Sequence, residues 1–377
     1  MKRITYITNV RLPTEKAHGL QIMKMCEAWN AAGINAELVV PDRYNKILED
    51  PFSYYPIRKK FKITKLWCVD FVRFDKWLGA VAFWLQSLSF YFSVKKHLKK
   101  NVPELIYIRD WPLAIFLPKN STIVYEAHTF PKRLSFLFRG ALQKVSKLIV
   151  ISHGLKEEFL RQGFPEDKIL VAPDGFDPEL FKVSSTQSEC RIKLSLPPDK
   201  KIVLYSGHLY HWKGADIVLD AAGQFEPEIL FVFVGGTERN TEQFKMLAKQ
   251  TGHTNILVLG HRPHHLIPLY LCAADVLVLP NLADEKISSH YTSPLKLFEY
   301  LSAGRPIVAS NLPSIREILS ENNAVLCPPG DPGSLASAIR LVLNNKELSD
   351  KITKEALANS GQYTWSERAM RIFDFIG

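Results

Sequence analysis

No pair of cysteines in this 377-residue chain stands at metal-knuckle or redox spacing. The five (Cys26, Cys68, Cys190, Cys272, Cys327) are odd in number, far apart and never C-x-x-C. A reduced compartment suits that usage better than a disulfide framework does. The N-terminal residues lack the apolar run and small-residue cleavage site of a secretory signal, so a cytoplasmic protein is expected. A Walker A loop is missing, as is any nucleic-acid-reading motif. The 19 glycines and 23 prolines follow no period, which excludes a collagen-like chain, and 46% hydrophobic with 23% charged residues excludes disorder.

Acidic residues are scarce in one place. Between Pro56 and Asn101 eleven basic residues face only Asp70 and Asp75, so this segment carries nearly all of the +10 net charge. Such a patch suits an anionic surface or substrate. Arg58, Lys59, Lys60, Lys62 and Lys65 are its candidates for contact with an acceptor or a membrane.

What is present is a recurrence of short Val-, Ile- and Tyr-rich runs separated by helix-length segments, the pattern of parallel sheets covered on both faces. The runs fall at 4–7, 36–40, 66–72, 105–108, 123–126 and 148–151, then at 202–205, 230–234, 256–259, 276–279, 307–309 and 324–327. They predict an α/β chain of two doubly wound, Rossmann-like domains in series. A Pro-, Ser- and Asp-rich stretch from Pro173 to about Leu196 has no period and is the expected linker. A last helix over 365–376, with an apolar stripe at Met370, Phe373 and Ile376, has no strand after it and suits either domain. The uncharged segment 77–94 would be about 27 Å long as a helix. It reads as a core or groove helix, an interfacial helix, or a membrane span; its aromatics beside Lys95, Lys96 and Lys99 favour surface attachment over spanning.

Three segments carry candidate chemistry. In Tyr291-Thr-Ser-Pro-Leu-Lys-Leu-Phe-Glu, Ser293 reads as the N-cap and Pro294 as the first residue of a helix. The amides of Leu295, Lys296 and Leu297, with the Lys296 ammonium, would then favour a diphosphate, and Glu299 one turn on would accept two ribose hydroxyls. An ordinary capped helix with a solvated Glu is the alternative. In Tyr205-Ser-Gly-His-Leu-Tyr-His-Trp-Lys-Gly, Gly207 permits close approach to a ligand, and Lys213 places a cation at a strand's carboxyl end, although a solvated Lys fits equally. His208 and His211 have no partner at metal spacing. In Tyr125-Glu-Ala-His, Glu126 and His128 share a face of an extended segment, so the carboxylate would orient or charge the imidazole; a structural His is the alternative. His18-Gly19 follows the first strand as a loop candidate.

Taken in order, Gly207-His-Leu with Lys213-Gly214, Val234-Gly-Gly, Leu259-Gly-His-Arg, Ala274-Asp-Val-Leu-Val-Leu-Pro and Ser293-Pro-Leu-Lys-Leu-Phe-Glu-Tyr-Leu-Ser-Ala-Gly resemble the donor half of a GT-B glycosyltransferase of the GT4 family. Ala17-His-Gly, Glu126-Ala-His, Val150-Ile-Ser-His and Tyr363-Thr-Trp-Ser-Glu-Arg extend the resemblance over most of the chain.

The resemblance implies an acceptor domain at 1–178, a nucleotide-sugar donor domain at 179–362 facing it across a cleft, and a helix at 363–377 that returns to the first domain. It implies retaining transfer of a hexose or N-acetylhexosamine from a UDP- or GDP-sugar to a glycan or lipid-linked acceptor. It implies that neither a metal nor another cofactor takes part, and the absence of a reading motif leaves no nucleic acid partner expected. The protein would be cytoplasmic, with peripheral contact to an anionic membrane. Lys213 would neutralise the leaving diphosphate, helped by Gly207, His208 and the amides around Ser293 to Leu297. Glu299 would hold the ribose, and Gly19 would admit the phosphates or acceptor. His128 would bond the donor sugar, and the base would lie by Gly260 to Arg262. Two positions depart from the pattern: His208 stands where Arg is common, and Tyr291 replaces the first Glu of E-x7-E. A catalytically weak sugar-nucleotide-binding subunit and a non-hydrolysing sugar-nucleotide epimerase are the competing readings.

Overall fold

A computed structural model describes residues 3–71, 75–100, 102–131 and 133–377. The chain divides into two compact units: 1–151 with 155–172 and 365–377, and 152–154 with 173–364.

The first unit is built on seven parallel strands, β1 (Arg3–Ile7), β2 (Asn35–Asp42), β3 (Lys62–Trp67), β4 (Leu105–Ile108), β5 (Thr122–Ala127), β6 (Lys147–Val150) and β7 (Ile169–Val171). Their order is β3-β2-β1-β4-β5-β6-β7, so chain direction across the sheet reverses at β1 and β4. The second unit has six parallel strands, β8 (Lys201–Ser206), β9 (Ile229–Val234), β10 (Ile256–Gly260), β11 (Val276–Leu279), β12 (Ile307–Ser310) and β13 (Val325–Cys327), ordered β10-β9-β8-β11-β12-β13 with the reversal at β8 and β11. Ligands of open parallel sheets bind outside the carboxyl ends at such reversals.

Both faces of the second sheet are covered, which is why its strands read as unbroken apolar runs. Ile202 and Leu204 of β8 pack with Leu230, Val232 and Leu277 on one face. Val203 and Tyr205 pack with Phe231, Phe233 and Val276 on the other. Each such fully buried side chain contributes roughly 1.5–3 kcal/mol.

Five helices matter for function: α1 (Ala17–Ala31), α2 (Asp75–Leu98), α3 (Ala215–Ala222), α4 (Leu295–Ser302) and α5 (Trp365–Ile376). Helix α2 has two apolar faces. Phe90, Tyr91, Val94 and Leu98 are buried, whereas Val81, Phe83, Trp84, Leu85, Leu88 and Phe92 are exposed. No helix among the described residues is long and apolar enough to cross a membrane.

Helix α5 belongs to the first unit, packed on α1, and Trp29 Nε1 donates to Ala369 O at 3.1 Å.

Several expectations are corrected. The strand expected at 66–72 runs over Lys62–Trp67, and residues 72 and 73 lie outside the described ones. Its polar residues hid it: Lys62, Thr64 and Lys65 interrupt the apolar Ile63, Leu66 and Trp67 of this edge strand. Strand β7 was not anticipated, because three residues are too short to show a period. The stretch after Pro173 is no open linker. It belongs to the second unit and folds into short helices, Pro178–Phe181 and Gln187–Lys193, the latter with a Thr186/Glu189 capping box. On α5 the buried face is Trp365, Arg368, Ala369 and Ile372, while Met370 is exposed. Arg368 belongs to the buried stripe because a buried carboxylate pairs with it, which hydrophobic spacing cannot reveal.

Candidate active site

The second unit gathers its candidates at the carboxyl ends of β8 and β11. After β8 the chain turns at Gly207 with φ +128°, a conformation open to glycine and strained for other residues. A Cβ at Gly207 would meet the Lys296 side chain, at 3.6 Å from Cδ and 3.8 Å from Nζ. The segment then forms one 3₁₀ turn, His211–Lys213, before α3. Gly214, at φ +70°, lies so close to the Pro280 carbonyl at the end of β11 that a Cβ has no room. This close approach fixes Lys213 at the reversal point.

Two ammoniums stand there. Lys296 is buried, with Nζ 3.8 Å from the Tyr205 ring centroid and no hydrogen-bond partner among the described residues. Burial, then the charge of Lys213, pulls its pKa well below that of an ordinary lysine, although Glu299 pulls the other way. Lys213 Nζ lies 3.9 Å from the Trp212 ring centroid, and burial lowers its pKa to about 7. Aromatic faces supply part of the missing counter-charge, but a quadrupole does not neutralise two cations.

The remaining candidates in this unit are placed as follows. Helix α4 begins one residue later than expected: Pro294 occupies the cap position, and Ser293 Oγ instead accepts from Asp174 N at 2.8 Å. Leu297 N donates to Pro294 O at 2.9 Å, which corrects the expectation of three open amides. Glu299, also buried, is engaged by His264 Nε2 at 2.8 Å. His208 stacks on Tyr210, centroids 5.0 Å apart, and Arg262 Nε donates to Tyr270 OH at 3.3 Å.

In the first unit the candidates meet at the ends of β4 and β5. Glu126 is fully buried and accepts from Gln21 Nε2 of α1 at 2.7 Å, Arg368 Nη2 of α5 at 2.8 Å and Tyr107 OH of β4. His128 Nε2 lies 2.7 Å from the same carboxylate. Burial alone would raise the Glu126 pKa, but Arg368, His128 and Arg109 outweigh it and hold the carboxyl well below its usual range. Burial and the Arg109 charge lower the His128 pKa to about 4, against the opposing pull of Glu126. At neutral pH this imidazole is uncharged.

Gly19 lies in the first turn of α1, not in a loop, and a Cβ there would meet the Tyr55 hydroxyl and Thr14. Among the basic candidates, Arg58, Lys59, Lys60, Lys62 and Lys65 are all exposed, but Lys62 Nζ is already paired with Glu37 at 2.9 Å. Sequence reasoning missed His264, although Arg262-Pro-His-His follows the family-like Leu259-Gly-His-Arg. It also missed Gln21 and Arg368, whose distance in sequence from Glu126 left no signal.

Comparison with known proteins bears on family and fold. The model of Glycosyltransferase Family 4 matches residues 19–180, and that of Glycosyl transferases group 1 matches 186–358. The chain belongs to the GT4-type GT-B glycosyltransferases. Among curated relatives, it is 28% identical over 205 residues to the putative teichuronic acid biosynthesis glycosyltransferase TuaC of Bacillus subtilis, covering 54% of this chain and 48% of that one. It is 26% identical over 305 residues to the putative glycosyltransferase YtcC of the same organism, covering 74% of each. The chain thus spans about half the length of the first of these relatives. Among solved structures, Anabaena HepE in complex with UDP and glucose aligns with TM-score 0.77 and 19% identity over 99% of both chains. Sucrose-phosphate synthase from Thermosynechococcus elongatus aligns with TM-score 0.78 and 18% identity, over 99% of this chain and 98% of that one. At these identities the two structures bear on the fold alone.

Proposed function

We propose that the protein is a retaining glycosyltransferase that moves a hexosyl or N-acetylhexosaminyl group from a UDP-sugar to a glycan or lipid-linked acceptor. The observation that carries this reading is a pair of lysines at the carboxyl ends of β8 and β11: Lys296, buried against Gly207, and half-buried Lys213, whose charge lowers the Lys296 pKa. A nucleoside diphosphate gains charge as it leaves the sugar, and pre-placed cations in a dehydrated site stabilise that charge more than water does. In this reading the two lysines supply the positive charge, so a metal ion is not required. Glu299, oriented by His264, holds the ribose. UDP is favoured over GDP only by analogy with the HepE complex.

We place the acceptor at a membrane face because of α2. Val81, Leu85, Leu88 and Phe92 form an exposed stripe at helical spacing, with Phe83 and Trp84 beside it, and the exposed Lys95, Lys96, Lys99 and Lys100 follow. Apolar side chains next to cations suit an anionic bilayer surface.

A thermal-shift panel of UDP, GDP, ADP and their sugars tests the donor assignment, because a ligand bound only by the folded state raises apparent stability by mass action. UDP and a UDP-sugar should raise Tm in the intact protein and fail to do so in Lys213→Ala. A panel without any nucleotide shift would remove the reading. Donor conversion with no acceptor present would favour the epimerase.

A further inference from the structure

The β5 carboxyl end holds an interaction system more elaborate than packing needs. Four elements converge on one carboxylate: Gln21 from α1, Tyr107 from β4, Arg368 from α5 and His128 just after β5. Arg109 in turn donates to Gln21 Oε1, which fixes that amide so that its NH2 faces Glu126. Every other partner of Glu126 is itself buried, and only His128 retains an exposed edge, with 19% of its side chain open against 0% for Glu126.

A carboxylate held ionised accepts hydrogen bonds and cannot donate them. The nitrogen of His128 that faces it is therefore the protonated one. We infer that Glu126, clamped by Arg368, Gln21 and Tyr107, is a positioning residue that locks His128 as the Nε2–H tautomer and turns Nδ1 outward to accept a hydrogen bond from a substrate hydroxyl. The ring is a reader of O–H donors and not a source of protons or positive charge. The assignment of Nδ1 to a sugar hydroxyl rests on the glycosyl-transfer reading; the state of the ring does not.

The charged and titratable groups facing this cluster are Glu126 on β5, Arg109 and Tyr107 after and within β4, Tyr6 on β1 and Arg368 on α5. Two guanidiniums against one carboxylate leave excess positive charge, which opposes a proton on the imidazole. The sign of a perturbation follows. The Arg368 charge opposes a proton on His128, so removing it moves the titration up toward the ordinary value of about 6.5.

The test is nitrogen-15 NMR of the His128 ring in the intact protein, with UDP, glucose and UDP-glucose as probes. The expected ring is neutral from pH 5 to 8, protonated at Nε2 and bare at Nδ1, and its Nδ1 resonance shifts with UDP-glucose but not with UDP. A protonated Nδ1, a charged ring at pH 6, or an Nδ1 indifferent to bound UDP-glucose would overturn the inference.

Two variants extend the test to turnover, read as UDP release from UDP-glucose at saturation. In Arg368→Gln the acid limb of kcat should move toward pH 6.5. Arg368→Lys, which keeps the charge, should hold it near the parental position. Parallel losses in both with no movement of the limb would mark Arg368 as merely structural and contradict the positioning role. Absence of UDP release from the parent chain would count against the glycosyl-transfer reading with this donor, while the ring spectra still decide the state of His128.

Discussion

An ammonium buried without a counter-ion destabilises the folded chain until an anion reaches it. Lys296 Nζ makes no hydrogen bond among the described residues, and the Tyr205 face beneath it and the Glu299 charge compensate only in part. Lys296→Met keeps most of the packing volume and removes the charge, so unliganded stability should rise by about 1–3 kcal/mol, read by urea unfolding. UDP affinity should fall at least tenfold in the same variant. A variant that loses stability and keeps affinity would mean that the ammonium serves the fold. At this scale the sequence was partly readable. Lys213, Lys296 and Glu299 stood at positions that their chain neighbours mark, after a strand and at a helix start. His264 and Arg368 were not readable, because each acts on a carboxylate far from it in sequence.

Among the elements, α5 shows what an ion pair adds to an amphipathic helix. Its buried face runs Trp365, Arg368, Ala369 and Ile372, and Arg368 reaches both Glu126 and the Ala172 carbonyl. Arg368→Ala removes the ion-pair partner of buried Glu126, which should lower stability by about 3–5 kcal/mol in chemical denaturation, far more than truncating an exposed neighbour such as Met370. An effect no larger than that of Met370→Ala would contradict the hub geometry. Helix α2 is the converse case, because Phe83, Trp84 and Phe92 face solvent. Trp84→Ser with Phe92→Ser should leave Tm within a degree or two, since both side chains are exposed, and reduce binding to anionic vesicles at least tenfold in flotation. Undiminished flotation would assign the stripe to another partner. The helix was legible from its uncharged run; which side chains face solvent was not, because apolar residues surround it on all sides.

The whole molecule is two parallel-sheet units whose strands were largely legible from the sequence, since strands buried on both faces are written as unbroken apolar runs. The exceptions have physical reasons: β3 is an edge strand with Lys62, Thr64 and Lys65 among its six residues, and β7 is too short for periodicity. The unit boundary falls at the start of the Pro-rich stretch rather than inside it, because Phe176 and Phe181 are packed into the second core.

Isothermal titration of UDP between pH 7.5 and 9.5, in two buffers of different ionisation enthalpy, tests the paired-lysine site most directly. Lys213 titrates at about 7 in the unliganded protein, so above that pH it is mostly neutral and must take up a proton to hold a diphosphate. The sign is fixed: affinity is full below pH 7 and weakens about tenfold per pH unit above it, with close to one proton or more bound per UDP. Affinity constant across that range, with no proton uptake, would contradict the claim that these two lysines receive the leaving group.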